Sequence, residues 1–404
     1  MIFHSLLLAF FTGIVIPGVL IFISPSSDIP WHDLTKGEYT NRAILYLSML
    51  FVFFTLSFFF GRKGEIDFLK KVRRNSNNIF IATRCSFFLI VLLYLSRVIY
   101  LLVGGNISPY VNLALGVDLL SGDFFSKIAS YFFFVLHKFY PLILGFIILA
   151  APRKWIWLIF SFELVYGLLI FSKMIIVINI IAMTFIYFNY KDLSKYRYII
   201  LKIFFIGLST MIIFFLLKDI FGFFRNEQVN LLIDAQFIKS ALSNGYGRFQ
   251  AITSVFYVDR VMSDFLYGQS LCHIVGNFVP DSLIDTPLSC RNIDESILIH
   301  FYSLSQNTSA VIDKDILTFF SEPYANFGLY GVLLFIILIA ADKFFLKMLG
   351  DNKFGLLFAW VVMINIFIYH NSWSSIFGNI YISFIVIRVV QLLVYRFNKI
   401  KVFE

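Results

Sequence analysis

Apolar runs long enough to cross a lipid bilayer recur along this chain, and nothing else in the sequence narrows its fold as much. A helix of about 20 residues spans the roughly 30 Å hydrocarbon core. A backbone in lipid must satisfy its own hydrogen bonds, so the choice is between helices and a closed barrel. The runs fall at about 3–23, 42–60, 79–103, 128–150, 155–171, 174–190, 199–220, 324–342, 354–370 and 377–395, all of helical rather than strand length. With 59% hydrophobic residues, 52 Phe and only 14% charged residues, the chain has more apolar surface than a water-soluble domain can bury. The fold class this predicts is all-α, a polytopic membrane bundle of about ten transmembrane helices. The first run is too long for the apolar stretch of a signal peptide and lacks a cleavage site, so it is expected to be retained. No lipidation motif is visible at either end of the sequence.

Charge placement orients these spans. Lys and Arg number 33 against 24 Asp and Glu, but the cations sit between apolar runs and not on one soluble face, which argues for topology rather than nucleic-acid binding. Arg62, Lys63, Lys70, Lys71, Arg73 and Arg74 follow the second run, and every second connection after that is also basic. By the positive-inside rule those connections face the cytoplasm, which places both termini inside. The segment around Ser172 and Lys173 reads as either a tight turn or part of one long helix; a turn preserves the alternation. Three regions result: a seven-span part over 1–220, a large external loop over 221–320 and a three-span part over 321–404.

A loop of that length needs structure of its own. Leu231, Ala235, Ile238 and Leu242 form one helical stripe, and Ile252, Val255, Phe256, Met262 and Phe265 form another, as expected of amphipathic helices lying on a membrane or on the bundle. Cys272 and Cys290 both fall in the loop, where an oxidising compartment would permit a disulfide; two free thiols fit as well. The loop also carries Arg225, Arg248, Arg260 and Arg291. Arginine suits two-point contact with phosphate oxygens and keeps its charge in a partly dry site. Arg248 lies beside Gly245 and Gly247, in a tight turn that would aim the side chain or simply present it to solvent. Asn106 and Asn307 match the short glycosylation acceptor pattern. The sequence has no zinc-site spacing, P-loop, dinucleotide fingerprint or nucleophile elbow, and no paired halves of a repeat transporter.

Ionisable residues within the apolar runs are costly unless they have partners. Arg97, His137, Lys138 and Glu163 are such residues, and they should face the bundle interior. One reading pairs Glu163 with Lys138 or Arg97 to hold helices together; the other makes a polar cavity for an anionic head group. Arg388 is placed to reach the cytoplasmic interface.

The external loop ends in "FFSEPYANFGLYGVLLFIILIA", residues 319–340. Pro323 suits the first helical position, where a missing N–H costs nothing, Glu322 just before it meets the positive end of the dipole, and Asn326 is expected to bond locally. Gly328 and Gly331 suit the close approach of a neighbouring helix. The segment "SEPYANFGLYG" resembles the end of the large periplasmic loop in bacterial oligosaccharide repeat-unit polymerases, the Wzy family of O-antigen and capsule assembly, with Glu322, Asn326, Gly328 and Gly331 at the matching positions. About a dozen residues match closely, and the spans, late loop and aromatic content agree in outline. The chain departs from the pattern at "IAADKFF", where such helices often continue to another glycine.

The resemblance implies a GT-C-like integral membrane glycosyltransferase in the bacterial inner membrane. It would move a growing glycan from undecaprenyl diphosphate to a sugar hydroxyl on a second lipid-linked unit, with a chain-length regulator as an expected partner. Diphosphate is a good leaving group, so such a reaction needs positive charge beside it and a base for the acceptor hydroxyl. Arg248 is the expected charge stabiliser, and Arg97, Arg225, Arg291 and Lys138 the expected diphosphate contacts. His300 and Glu322 are the expected bases, ahead of Asp294 and Glu295. Asp313 to Asp315 has the spacing of a metal-binding pair but reads as a solvated charge run, so no metal and no cofactor are expected. An O-antigen ligase or a lipid-linked oligosaccharide flippase would share much of this layout.

Overall fold

A computed structural model describes residues 2–15, 41–74, 80–102, 136, 139–150, 153–169, 178–180, 255–256, 258–259, 265–272, 274, 318–367 and 373–400. All regular structure among them is helical. The helices are α1 (Ile2–Phe10, running into a π-helical turn at Phe11–Val15), α2 (Asn41–Arg74), α3 (Phe80–Leu102), α4 (Tyr140–Ala150) and α5 (Arg153–Leu169). After a 3₁₀ turn at Gln269–Cys272 come α6 (Ser321–Phe327), a second 3₁₀ turn at Gly328–Gly331, α7 (Val332–Leu349), α8 (Lys353–Phe367) and α9 (Trp373–Ile400).

Among the described residues, three stretches are long and apolar enough to cross a membrane: Asn41–Gly61 with 21 residues, Ser321–Leu349 with 29 and Trp373–Tyr395 with 23. Their outward faces carry Leu45, Val52, Leu56, Phe59, Leu333, Ile336, Ile337, Val389 and Leu392, all exposed. Such a surface suits lipid and would be an aggregation hazard in water. Two expectations change. The basic residues from Arg62 to Arg74 do not form a loop but continue α2 as a helix, because Lys, Arg, Glu and Leu favour helix once the apolar run has nucleated it. The span expected at 324–342 starts at Ser321, is interrupted at Gly328–Gly331 and reaches Leu349.

The chain divides into two compact units. The first comprises residues 1–68 and 233–391. Its centre is an aromatic cluster in which Phe54 meets Phe10 at 5.7 Å and Phe335 at 5.3 Å, and Phe319 meets Phe335 at 5.2 Å. Ring edges against ring faces fill this space well, and each such pair adds about 0.5–1.5 kcal/mol beyond its burial. A second cluster stacks Phe345 on Phe384 at 4.3 Å, with Phe358 edge-on to both.

One side chain builds the corner between α7 and α8. Gly350, at φ +79°, ends α7. Asn352 Nδ2 donates to the Leu349 carbonyl, while its Oδ1 accepts the N–H groups of Phe354 and Gly355. It thereby caps the end of one helix and the start of the next. The last carbonyls of α7 gain further donors from α9: Arg388 Nη1 reaches Met348 O at 3.0 Å and Gln391 Nε2 reaches Leu349 O at 2.8 Å. Arg388, expected at the cytoplasmic interface, is thus a helix-end partner.

The second unit, residues 69–232 and 392–404, contains α3, α4 and α5. In it α3 packs along α4.

Candidate functional site

The opening turn of α6 is built by a reciprocal box. Thr318 N–H donates to Ser321 Oγ at 2.7 Å and Ser321 N–H to Thr318 Oγ1 at 3.3 Å. Two donors that would otherwise face an apolar interior are satisfied locally. Pro323 accordingly sits at the third helical position and not the first, still within the turn where its missing N–H has no intrahelical duty. Glu322 occupies the same turn, as the dipole argument expects.

Glu322 does not face open solvent. It is completely buried, with Oε1 accepting from Ser270 Oγ at 2.5 Å and Oε2 accepting from the Ser374 backbone N–H at 2.7 Å. Ser270 belongs to the 3₁₀ turn within the 221–320 segment and Ser374 to the first turn of α9, so one carboxylate ties three parts of the chain together. The negative charge sits among donors, which is the condition for burying it at tolerable cost.

Asn326 extends the tie. Its Nδ2 donates to Ser270 Oγ at 2.5 Å and to Glu322 O at 2.9 Å, while its Oδ1 accepts the Gly268 N–H at 2.9 Å. Backbone bonds complete the seam, from Leu266 N–H to Ala325 O and from Tyr267 N–H to Asn326 O. The amide is therefore a loop anchor, not only a local helix-end group.

Gly328 and Gly331 are explained by this seam. Gly328 has φ +56° and ψ −131°, a conformation side chains resist, and a Cβ there would come within 2.6 Å of the Phe265 ring. A Cβ on Gly331 would strike the Pro323 carbonyl. The two glycines admit the loop and the preceding turn of their own span, rather than a neighbouring membrane helix as expected.

A second carboxylate stands beside the seam. Tyr324 Oη donates to Asp259 Oδ1 at 2.5 Å, and Tyr324 in turn lies against Tyr46 at 4.8 Å between ring centres. Tyr46 Oη is held by Phe320 O at 2.9 Å. Asp259 Oδ2, a buried atom, has no hydrogen-bond partner among the described residues. Asp259, Ser270 and Ser374 escaped sequence reasoning: Asp259 reads there as one polar position of an amphipathic helix, and Ser374 contributes only its backbone. The one available signal was Tyr324, a phenol inside the motif whose hydroxyl needs a partner once buried.

In the second unit, Arg97 and Glu163 form a two-point pair, with Nη1 to Oε1 at 2.7 Å and Nη2 to Oε2 at 2.9 Å. Both residues are buried, and the guanidinium lies 3.7 Å from the centre of the Tyr166 ring. Asn179 Nδ2 donates to Tyr140 Oη at 2.7 Å nearby. This is the helix-clamping arrangement, with Arg97 as the cation and its charge already matched.

Arg248, His300, Arg225, Arg291, Lys138, Cys290, His137, Arg260, Asp294, Glu295 and the Asp313 to Asp315 run lie outside the described residues. Cys272 closes the first 3₁₀ turn. Of the expected site residues, Glu322, Asn326, Gly328 and Gly331 are brought together, and Arg97 stands in the other unit. Comparison with protein-family models, curated protein sequences and solved structures returns no match.

Proposed function

We propose that this chain is a polymerase of lipid-linked oligosaccharide repeat units, of the O-antigen or related surface-polysaccharide type. It lies in the bacterial inner membrane with about ten spans, both termini cytoplasmic and the 221–320 loop periplasmic. The observation that carries the reading is the loop seam: the motif residues Glu322 and Asn326 fasten Ser270 and Gly268 of the external loop to a helix long enough to cross a membrane. A motif that docks a loop onto a span is what an enzyme needs when its substrate is anchored in lipid and its reacting sugar is in water.

In this reading the acceptor hydroxyl oxygen attacks the anomeric carbon of the donor. The bond from that carbon to the diphosphate breaks, and its electron pair leaves with undecaprenyl diphosphate. Asp259 is the proposed proton acceptor, through Oδ2, a buried oxygen with no partner among the described residues, since Oδ1 is held by Tyr324. Glu322 is a positioning residue, both of its oxygens being engaged. Arg248, Arg225 and Arg291 stabilise the leaving diphosphate, with no metal ion or cofactor required, and His300 is the competing proton acceptor. A chain-length regulator is the expected protein partner.

The test is to incubate purified protein with synthetic undecaprenyl-diphosphate repeat units and separate the products by length. A ladder of multimers is the expected result. A single transfer to a different lipid acceptor makes the chain a ligase, and no transfer across varied repeat units leaves transport. Within the ladder assay, Asp259→Asn should slow turnover by roughly 100-fold to 10,000-fold with an unchanged unfolding midpoint. Unchanged turnover removes Asp259 from the reaction and returns the role to His300.

A further inference from the structure

Within the first unit, away from the loop seam, a cavity of about 400 Å³ opens beside the C-terminal half of α7. Phe3, Phe60 and Phe68 give it an apolar wall, and Asp342, Lys343 and Lys347 give it charge. The three charged residues share one side of α7, since positions separated by one, four and five residues fall within a 140° arc of a helix.

Asp342 is the anomaly. It lies inside a stretch able to cross a membrane, is 3% exposed, and its Oδ1 has no hydrogen-bond partner among the described residues. Buried carboxylates normally have their donors built in, as Glu322 does. Lys343 follows it directly and Lys347 comes five residues after it; both line the same cavity but are exposed, and Lys343 Nζ lies 5.3 Å from the centre of the Phe3 ring. The wall therefore offers an acceptor lacking a donor, two ammonium groups suited to an anion, and aromatic surface suited to hydrocarbon. A primary amine joined to a phosphate ester and carrying acyl chains satisfies all three.

Gly64 leaves room for such a ligand. It lines the cavity, and a Cβ placed there meets nothing within 4 Å. The rim also carries Asp351, a second carboxylate.

We propose that this cavity is a binding site for the head group of an amine-bearing phospholipid of the phosphatidylethanolamine class, with the ammonium on Asp342 and the phosphate between Lys343 and Lys347. The site is separate from the loop seam, and its assignment does not depend on the proposed reaction.

The experiment places the full chain in mixed micelles with equal amounts of phosphatidylethanolamine, phosphatidylcholine and phosphatidylglycerol, and counts retained lipid by native mass spectrometry. The choline head group has no N–H to donate, and phosphatidylglycerol has no ammonium. Phosphatidylethanolamine should be enriched roughly tenfold over both, the ratio one charge-assisted hydrogen bond supplies. Asp342→Asn should abolish the preference over phosphatidylcholine. Gly64→Leu should reduce retention of phosphatidylethanolamine by filling the cavity while leaving the α7 charges in place, so a folding defect in the aspartate variant does not decide the matter. Equal retention of the three lipids by the unaltered chain overturns the proposal, as does a preference that survives both substitutions. Soluble phosphoethanolamine is the second arm. Failure to displace the lipid at millimolar concentration supports a membrane source, and ready displacement assigns the site to a soluble amine-phosphate and overturns the lipid assignment.

Discussion

At the scale of single residues, the carboxylate that the sequence marks as a helix-start group also ties distant parts of the chain together. Glu322 reads in sequence as a helix-start anion, and it is one. The sequence could not show that its oxygens are met by a hydroxyl 52 residues upstream and a backbone N–H 52 residues downstream. Those partners are chosen by tertiary packing, and neither a serine nor a backbone amide marks itself in a string of letters. Burial makes the carboxylate hard to replace. In Glu322→Gln, one of the two contacts meets an amide NH₂ instead of an acceptor, leaving a buried donor facing a donor at one contact. The expected loss is about 1–3 kcal/mol of stability, read as a lower unfolding midpoint in detergent. Any loss of turnover should follow the loss of fold. A variant that unfolds at the original temperature yet is inactive would instead make Glu322 a reacting group.

At the scale of elements, the span that begins at Ser321 is two helices joined by a 3₁₀ turn. Its apolar run was legible because the length requirement is coarse and every residue from Val332 to Ala341 satisfies it. The break was not, since Gly328 and Gly331 fit equally well into a continuous membrane helix with close neighbours. What decides is the Phe265 ring occupying the space that a Gly328 side chain would take. Gly328→Ala should cost about 1–3 kcal/mol for backbone strain, in addition to the clash. Combining it with Phe265→Ala should recover the clash component alone. A double variant as stable as Phe265→Ala by itself would show that Gly328 is kept for space and not for conformation. The charged second half of α2 makes the converse point: residues 62–74 carry the signature of an interhelical connection, but their individual preferences are helical and the existing helix extends through them.

At the scale of the whole molecule, helical class and membrane-crossing length were readable from the apolar runs, and the orientation of charges supplied a topology to test. The partner of Glu163 was narrowed to two cations, and geometry selects Arg97. Pairing between distant runs depends on which faces meet, and a periodicity of hydrophobic residues does not record that. Removing one partner of this pair strands a charge, so Arg97→Ala should cost about 3–5 kcal/mol, whereas Arg97→Met with Glu163→Leu should recover most of it. Hydrogen exchange should rise in Phe80–Leu102 and Arg153–Leu169 of the single variant and stay unchanged in Ser321–Leu349. Exchange that rises equally in all three would show that the two units do not unfold separately. The seam at Asn326 and Glu322 has a further effect at this scale. Because Gly268 and Ser270 are fastened to a helix whose depth is set by its hydrocarbon-facing length, the loop works as a gauge: under the proposed reaction, an acceptor held beside Asp259 would sit at a fixed height relative to the bilayer, and a lipid tether of set length would bring only one part of its glycan to that height.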